Sequence, residues 1–350
     1  MLDDLQRLAD ADPFDTRGVL AEFPRQCRQA RTLSPAPASP RERPRLVVVA
    51  GMGGSAAGGD LLATCAADAL DVPVLVHRGY GLPAAAGQHT LVLASSYSGD
   101  TEEVLSAVDV ALSRKLAVVA LTAGGRLGAL AERHRLARVT LPAGLMPRMA
   151  LGYLFLPTLR VLAACGAAVA SDAEIDEALD VVEALAAELG PARPARANEA
   201  KRLALAIGHR LPAVYGGPVT GAVAYRWKTD LEENAKTFAL AGALPEMNHN
   251  EIEAWGTPGA AGLHALLLRD EGEPAEIALR FGVLRDMITP AAGGVSETWA
   301  RGRARLARLL SLAYLGQWTS YYLAVLRGID PWTVPRLDEL KRRLRSTASS

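Results

Sequence analysis

The chain has 350 residues, with Lys+Arg and Asp+Glu both at 38, so its formal net charge is zero. Half the residues are hydrophobic, 22% are charged and 5% aromatic, the composition of a soluble globular chain large enough for two domains. No basic excess points to nucleic acid or a membrane surface, and the few aromatics argue against a base-stacking platform.

The opening MLDDLQRLADADPF is acidic and amphipathic and lacks the apolar core of a secretion signal. Leu2, Leu5, Leu8, Val19, Leu20 and Phe23 recur near helical spacing, which predicts helix over residues 1–31. LSPAPASPRERPR (33–45) holds four prolines and reads as a linker over the surface. The three cysteines, Cys27, Cys65 and Cys165, are far apart without a CxxC, so reduced thiols in the cytoplasm are expected.

RLVVVAGMGGSAAGGDLL then joins an apolar run to glycines and a helical pattern, a buried parallel strand feeding a helix. VPVLVHRGY reads as a strand, TLVLASSYSGDTEEVLSAVDVAL as strand, turn and helix, and LAVVALTAGG as another strand. Such alternation predicts a parallel sheet covered on both faces. MALGYLFLPTLRVLAACGAAVA carries Pro157 and Arg160 in its middle, so it is a buried helix rather than a membrane span. After a Pro- and Ala-rich break (188–200), LPAVYGGPVTGAVAYRWKTDLEENAK repeats the strand–turn–helix pattern. HALLLRD and IALRFGVL read as further strands, 300–327 as a helix, and DPWTVPRLDELKRRLRS as a turn and basic terminal helix. The expected architecture is α/β in two subdomains, residues 1–160 with the N-terminal helix and residues 161–350 with the C-terminal one.

Three clusters carry chemistry. GMGGSAAGG (51–59) lets backbone N–H groups approach an anion at a helix start. A dinucleotide site would need an acid about 20 residues on, where His77, Arg78 and Gly79 stand instead, and no lysine follows as in a triphosphate-binding loop. A tight turn without ligand accounts for a lone glycine run equally well. SSYSGDTEEV adds Ser96, Ser98 and Thr101 at another helix start. Capping by Asp100 or Thr101 explains some of these hydroxyls, but not Ser96 or the second glycine-and-serine turn nearby. Both turns should open at the carboxyl edge of one sheet, which favours a phosphate-bearing small molecule. The third cluster, LEENAKTFALAGALPEMNHNEIEAW (231–255), gathers Glu232, Glu233, Glu246, Glu251 and His249 with Asn234, Asn248 and Asn250. Glu and His can move protons near neutral pH, although solvated helix ends account for any single carboxylate. No second His or Cys lies at ligand spacing, so no metal is expected.

Taken in order, GMGGSAAGGDLL, SSYSGDTEE, GLMPRMALGY, LEENAK and PEMNHNE resemble the bifunctional phosphoglucose/phosphomannose isomerases of the sugar isomerase (SIS) domain superfamily. The likeness extends over nearly the whole chain. It implies two SIS subdomains, each a mainly parallel sheet flanked by helices in flavodoxin-type layers, and a homodimer with shared active sites. It also implies interconversion of glucose 6-phosphate and fructose 6-phosphate, and of mannose 6-phosphate, through a cis-enediol(ate), with no metal or organic cofactor. By that resemblance Gly53, Gly54, Ser55, Ser96, Ser98 and Thr101 hold the sugar phosphate. Glu233 shuttles the proton between C1 and C2, and Arg148 stabilises negative charge on the intermediate. His249, supplied by the partner, and Lys341 open the ring. The chain departs from the pattern at Asp100 and Glu232, where Asn is common, and at Trp332, where smaller residues are usual. A non-catalytic sugar-phosphate-binding regulator is the main alternative; it would need the serine cradle but not Glu233 and His249 together. An isomerase of another phosphosugar is a second alternative.

Overall fold

The computed structural model describes residues 2–36, 38 and 40–348. Three helices, α1 (Leu5–Asp10), α2 (Thr16–Ala21) and α3 (Phe23–Thr32), precede the prolines, as expected from their apolar spacing. The linker residues Pro37 and Ser39 lie outside the described set. Then follow β1 (Leu46–Ala50), α4 (Gly53–Ala66), β2 (Val74–His77), β3 (Thr90–Ser95), α5 (Glu102–Ser113), β4 (Ala117–Thr122), α6 (Gly125–Arg133) and β5 (Ala137–Thr140). These strands form one wholly parallel sheet in the order β2-β1-β3-β4-β5, the flavodoxin-like order. The strand order reverses direction between β1 and β3, so the crevice outside their carboxyl ends is where such folds bind ligands.

Two long helices, α7 (Leu151–Ala164) and α8 (Asp172–Leu189), and a shorter one, α9 (Glu199–Ile207), lead to the second sheet. Its elements are β6 (Leu211–Gly216), α10 (Gly221–Asn234), β7 (Leu240–Ala243), β8 (Leu263–Arg269), α11 (Ala275–Ile288) and β9 (Gly294–Trp299), with strands parallel in the order β7-β6-β8-β9. The chain closes with α12 (Arg305–Leu326) and α13 (Pro335–Ala348). The expected division at residue 160 falls inside α7, and a continuous apolar core links Leu93 of the first sheet to Trp227, Leu266 and Trp318 of the second half. The 22-residue α12 is mostly apolar from Leu306 to Val325, its polar Ser311, Gln317, Thr319 and Ser320 buried as well, and it packs among α8, α9 and α10. Among the described residues no helix is long and apolar enough to cross a membrane.

One expected strand is a helix. IALRFGVL belongs to α11, whose buried residues Ile277, Phe281, Leu284 and Ile288 recur every three or four positions, the period of a helix rather than a strand. The strand partner of β8 is instead β9, an alternating GVSETW segment.

Buried His264 on β8 shares a hydrogen bond between Nε2 and Ser296 Oγ on β9 (2.9 Å). Burial, with Arg210 second, drives its pKa from 6.5 down to about 4. Between these values the unfolded chain binds a proton that the folded chain refuses, so stability rises with pH across this window and is lost as pH falls through about 4. The loss from this one group amounts to at most about 3 kcal/mol. Urea unfolding of the wild type and of His264→Gln at about pH 7 and about pH 4 should give a smaller pH dependence in the variant; equal dependence would exclude the histidine.

Candidate active site

The two turns singled out from sequence face each other at the strand-order reversal, one after β1 and one after β3. They are laced together: the Tyr97 N–H donates to Ser55 Oγ (3.2 Å) and Ser95 Oγ donates to the Ser55 carbonyl (3.1 Å). Ser96 Oγ accepts the Gly99 N–H (3.1 Å) and shares a hydrogen bond with Thr101 Oγ1 (2.8 Å). Ser98 is exposed and accepts the Asp100 N–H (3.3 Å). Capping fails to account for the hydroxyls. Thr101 occupies the N-cap of α5 without a side-chain capping bond, and Met52 at the N-cap of α4 makes none either. Two helix starts therefore present oriented N–H groups to one crevice, beside Gly53, Gly54, Ser55, Ser96, Ser98 and Thr101. Gly99 keeps φ at 77°, and a Cβ there would lie 1.9 Å from the Gly124 carbonyl oxygen, so this turn needs glycine.

Gly54 couples this crevice to the second half of the chain. A Cβ on it would sit 2.8 Å from the Pro147 carbonyl oxygen and 2.9 Å from Arg148 Cα, so α4 starts directly against the short 3₁₀ turn Pro147–Met149. Arg148 is 2% exposed, and each side of its guanidinium is used. Nε donates to Asn234 Oδ1 (2.7 Å), Nη1 approaches Glu233 Oε2 (3.5 Å), and Nη2 donates to the carbonyls of Pro331 (3.0 Å) and Trp332 (2.5 Å). Burial lowers the Arg148 pKa, while Glu233 and Asp230 oppose that shift. A cation held beside a partly exposed carboxylate, next to a crevice ringed by helix starts and hydroxyls, can stabilise a developing oxyanion while the carboxylate moves a proton.

With this geometry in view, comparison with known proteins is decisive. The chain is 40% identical over 301 residues to the bifunctional phosphoglucose/phosphomannose isomerase of Caldicellulosiruptor bescii, spanning 85% of this chain and 89% of that protein. It is 31% identical over 304 residues to the protein of the same name from Aquifex aeolicus, spanning 86% and 91%. The chain belongs to the bifunctional phosphoglucose/phosphomannose isomerase family. Residues 196–344 also match the family of bacterial phospho-glucose isomerase C-terminal SIS domains. A glucose-6-phosphate isomerase like protein from Thermus thermophilus shares the fold, with a TM-score of 0.61 at 21% identity over 97% of this chain and 98% of that one.

Within this member of the family the departures are neutralised locally. Asp100 Oδ1 accepts the Arg126 N–H at the start of α6 (3.1 Å), and Glu232 takes the Lys228 ammonium on both oxygens (2.7 and 2.8 Å), one turn back along α10. Neither acid is left unpaired in the crevice. Trp332 stacks on Phe14, with ring centroids 6.3 Å apart.

Two expected residues make no bond to Glu233 among the described residues. His249 is exposed on a 3₁₀ turn, Glu246–His249, and Lys341 is exposed on α13; neither bonds to Arg148 or Glu233 among the described residues. The turn carrying His249 is well anchored, because Tyr215 donates to Glu251 Oε2 (2.9 Å) and Trp255 donates to the Tyr215 oxygen (3.2 Å). Among the described residues no three His, Cys, Asp or Glu side chains gather as a metal site.

The structure adds residues that the motifs did not single out. Arg226 and Asp230, one turn apart on α10 and both buried, lie 2.7 Å from each other, and Arg226 Nη2 also donates to the Arg148 carbonyl. Burial pushes the Asp230 carboxyl up to about 7 against the pull of Arg226, with Glu233 adding to the rise. The i,i+4 spacing in RWKTD was the available signal, yet only packing against α12 distinguishes it from a surface pair. Asp230→Ala strands the Arg226 guanidinium in the interior, so urea unfolding should register a loss of about 3–5 kcal/mol; a loss below about 1 kcal/mol would show that the pair contributes like a solvated one.

Proposed function

We propose that this chain is a sugar-phosphate isomerase that interconverts glucose 6-phosphate and fructose 6-phosphate, and also mannose 6-phosphate. The observation that carries this reading is the contact sequence from the serine crevice through Gly54 to buried Arg148 and on to Glu233, 3.5 Å from its guanidinium. The phosphate is bound by Ser55, Ser96, Ser98, Thr101 and the N–H groups around Gly53 and Gly54. In the open-chain sugar, Glu233 takes the proton from C2 of the aldose and returns it to C1, passing through a cis-enediol(ate). Arg148 supports the oxyanion that forms between these steps. Ring opening falls to His249 and Lys341. The exposure of His249 on its anchored turn, without a bond to Glu233, is consistent with a homodimer in which a second copy completes the site. The two SIS subdomains, residues 1–160 and 161–350, then act as one unit around the crevice. The chemistry asks for no metal or organic cofactor, since a carboxylate and a fixed cation suffice for an aldose–ketose shift.

A coupled assay tests this on purified, EDTA-treated protein given fructose 6-phosphate, with glucose 6-phosphate and mannose 6-phosphate followed separately. Both products are expected. Fructose 6-phosphate that protects the fold against heat without turnover would instead indicate a non-catalytic sugar-phosphate-binding regulator. Turnover of another phosphosugar alone would move the assignment to that substrate.

Glu233→Gln keeps the shape of the site and removes the proton carrier, so kcat should fall by roughly three orders of magnitude or more with KM nearly unchanged. A normal rate in that variant would overturn the assignment of the base. Ser96→Ala should act the other way round, raising KM several-fold with little change in kcat.

A further inference from the structure

We propose that Lys236 is a further catalytic residue of this site, the group that carries the proton between the two sugar oxygens while Glu233 carries the one between the carbons. The inference rests on the isomerase reading above. An aldose–ketose shift moves two protons. One leaves C2 and arrives at C1; the other leaves the hydroxyl on C2 and arrives at the former carbonyl oxygen on C1. Glu233 accounts for the first. Arg148 can hold a negative oxygen but cannot hand over a proton, because a guanidinium stays charged in a protein. The second transfer therefore lacks a carrier among Glu233 and Arg148.

Lys236 stands where such a carrier is needed. It follows Glu233 by three residues at the end of α10, and its backbone takes φ 47°, a left-handed conformation that side-chain-bearing residues adopt at a cost. That bend turns its ammonium back toward the site. Nζ donates to the Asp330 carbonyl (2.5 Å) and the Asn234 carbonyl (3.3 Å). The next two carbonyls along the same strap, those of Pro331 and Trp332, are gripped by Arg148. The two cations thus hold successive peptide units of one segment, with Glu233 against Arg148. Among the described residues the Lys236 ammonium has two acceptors, which leaves its third N–H for a ligand. The residue remains exposed, so a substrate can reach it.

The charged groups facing this ammonium are Arg148 from the 3₁₀ turn, Glu233 from α10 and Asp330 from the strap. Desolvation first, then Arg148, lowers the lysine pKa to about 8, against the opposing pull of Asp330 and Glu233. A proton carrier works best with a pKa near the working pH. In the aldose-to-ketose direction the ammonium donates a proton to the carbonyl oxygen on C1 as Glu233 removes the C2 proton, and the C1=C2 double bond forms. The neutral amine then takes the proton from the hydroxyl on C2 as that oxygen becomes the new carbonyl and C1 is protonated by Glu233. Lys236 and Glu233 both end as they began, and no external oxidant or reductant takes part.

The test compares wild type, Lys236→Arg and Lys236→Met with fructose 6-phosphate, following kcat and KM from about pH 6 to about pH 10 alongside melting temperatures. Arginine keeps the charge and the grip on the carbonyls but cannot release a proton. Lys236→Arg should melt like the wild type, keep KM within about threefold, lose roughly 100-fold in kcat, and lose the basic limb that the wild-type kcat profile shows near pH 8. Lys236→Met should lose at least as much. If Lys236→Arg instead restores the wild-type kcat and pH profile, whatever Lys236→Met does, the lysine is only a tether for the strap and the inference falls. A wild type that turns over no phosphosugar removes the isomerase reading and this inference together. A wild type that turns over normally beside an unaffected Lys236→Arg removes this inference alone.

Discussion

A guanidinium taken out of water must be given acceptors, and Arg148 receives them from two distant parts of the chain. Asn234 and Glu233 come from the end of α10, and the Pro331 and Trp332 carbonyls come from the strap after α12. Its own backbone carbonyl accepts from Arg226 and its Cα presses on Gly54. Burying such a group without partners would cost several kcal/mol, so the arrangement is constrained as a set rather than residue by residue. This explains why α4 begins with glycines, why α10 keeps charged residues on its buried face, and why the segment between α12 and α13 crosses to the Arg148 turn. Each supplies something the cation needs. The charge that results is fixed in place before any ligand arrives, which is the condition for stabilising an oxyanion without reorganisation.

The same fold logic is used twice with opposite outcomes. After β1 the side chain of Ser55 in the glycine turn accepts from the Tyr97 N–H of the neighbouring segment. After β6 the corresponding turn is closed on itself: Thr220 Oγ1 accepts the Gly217 N–H (2.8 Å) and donates to the Leu268 carbonyl (2.7 Å). A Cβ at Gly216 would lie 2.4 Å from the Thr220 backbone, so this turn folds directly back on the strand end. The second sheet thus serves as a platform. Its helix α10 projects Glu233 and Asn234 toward the crevice of the first, while its β6 anchors the turn that displays His249.

How far the sequence revealed this follows from what each signal measures. Strands β1, β3, β4, β6 and β8 are central and mostly apolar, so their runs stood out. Among the edge strands, β2 showed because VLVH is a branched apolar run, whereas β5 and β9 carry charged and polar residues and β7 is only LAGA, and these three were not read as strands. IALRFGVL was misleading because a short apolar run looks alike in a strand and a helix, and only the continuation to Ile288 reveals the period. The crevice was legible because hydroxyls and glycines at a strand end have a local chemical meaning, and Glu233 and Arg148 emerged through resemblance to a family with that pattern. Arg226, Asp230 and Lys236 were not legible as parts of the site. Their roles depend on what lies across from α10, namely α12, the 3₁₀ turn at Arg148 and the Asp330 carbonyl, and no local pattern encodes a neighbour so distant in sequence.

Electrostatics decide how this site can tolerate extra acids. Around Glu233 the chain places Arg148, Arg226 and Lys236 against Asp230, and each added carboxylate at the rim is met by its own partner: Asp100 by the start of α6 and Glu232 by Lys228. The pairs are short-range, one helical turn or one neighbouring loop apart, so their fields largely cancel within the distance at which salt would screen them. The crevice is therefore ringed by helix starts and hydroxyls, with Asp100 and Glu232 each met by a partner. Asp100 and Glu232 thus add carboxylates beside the site whose charges are answered within one turn or loop.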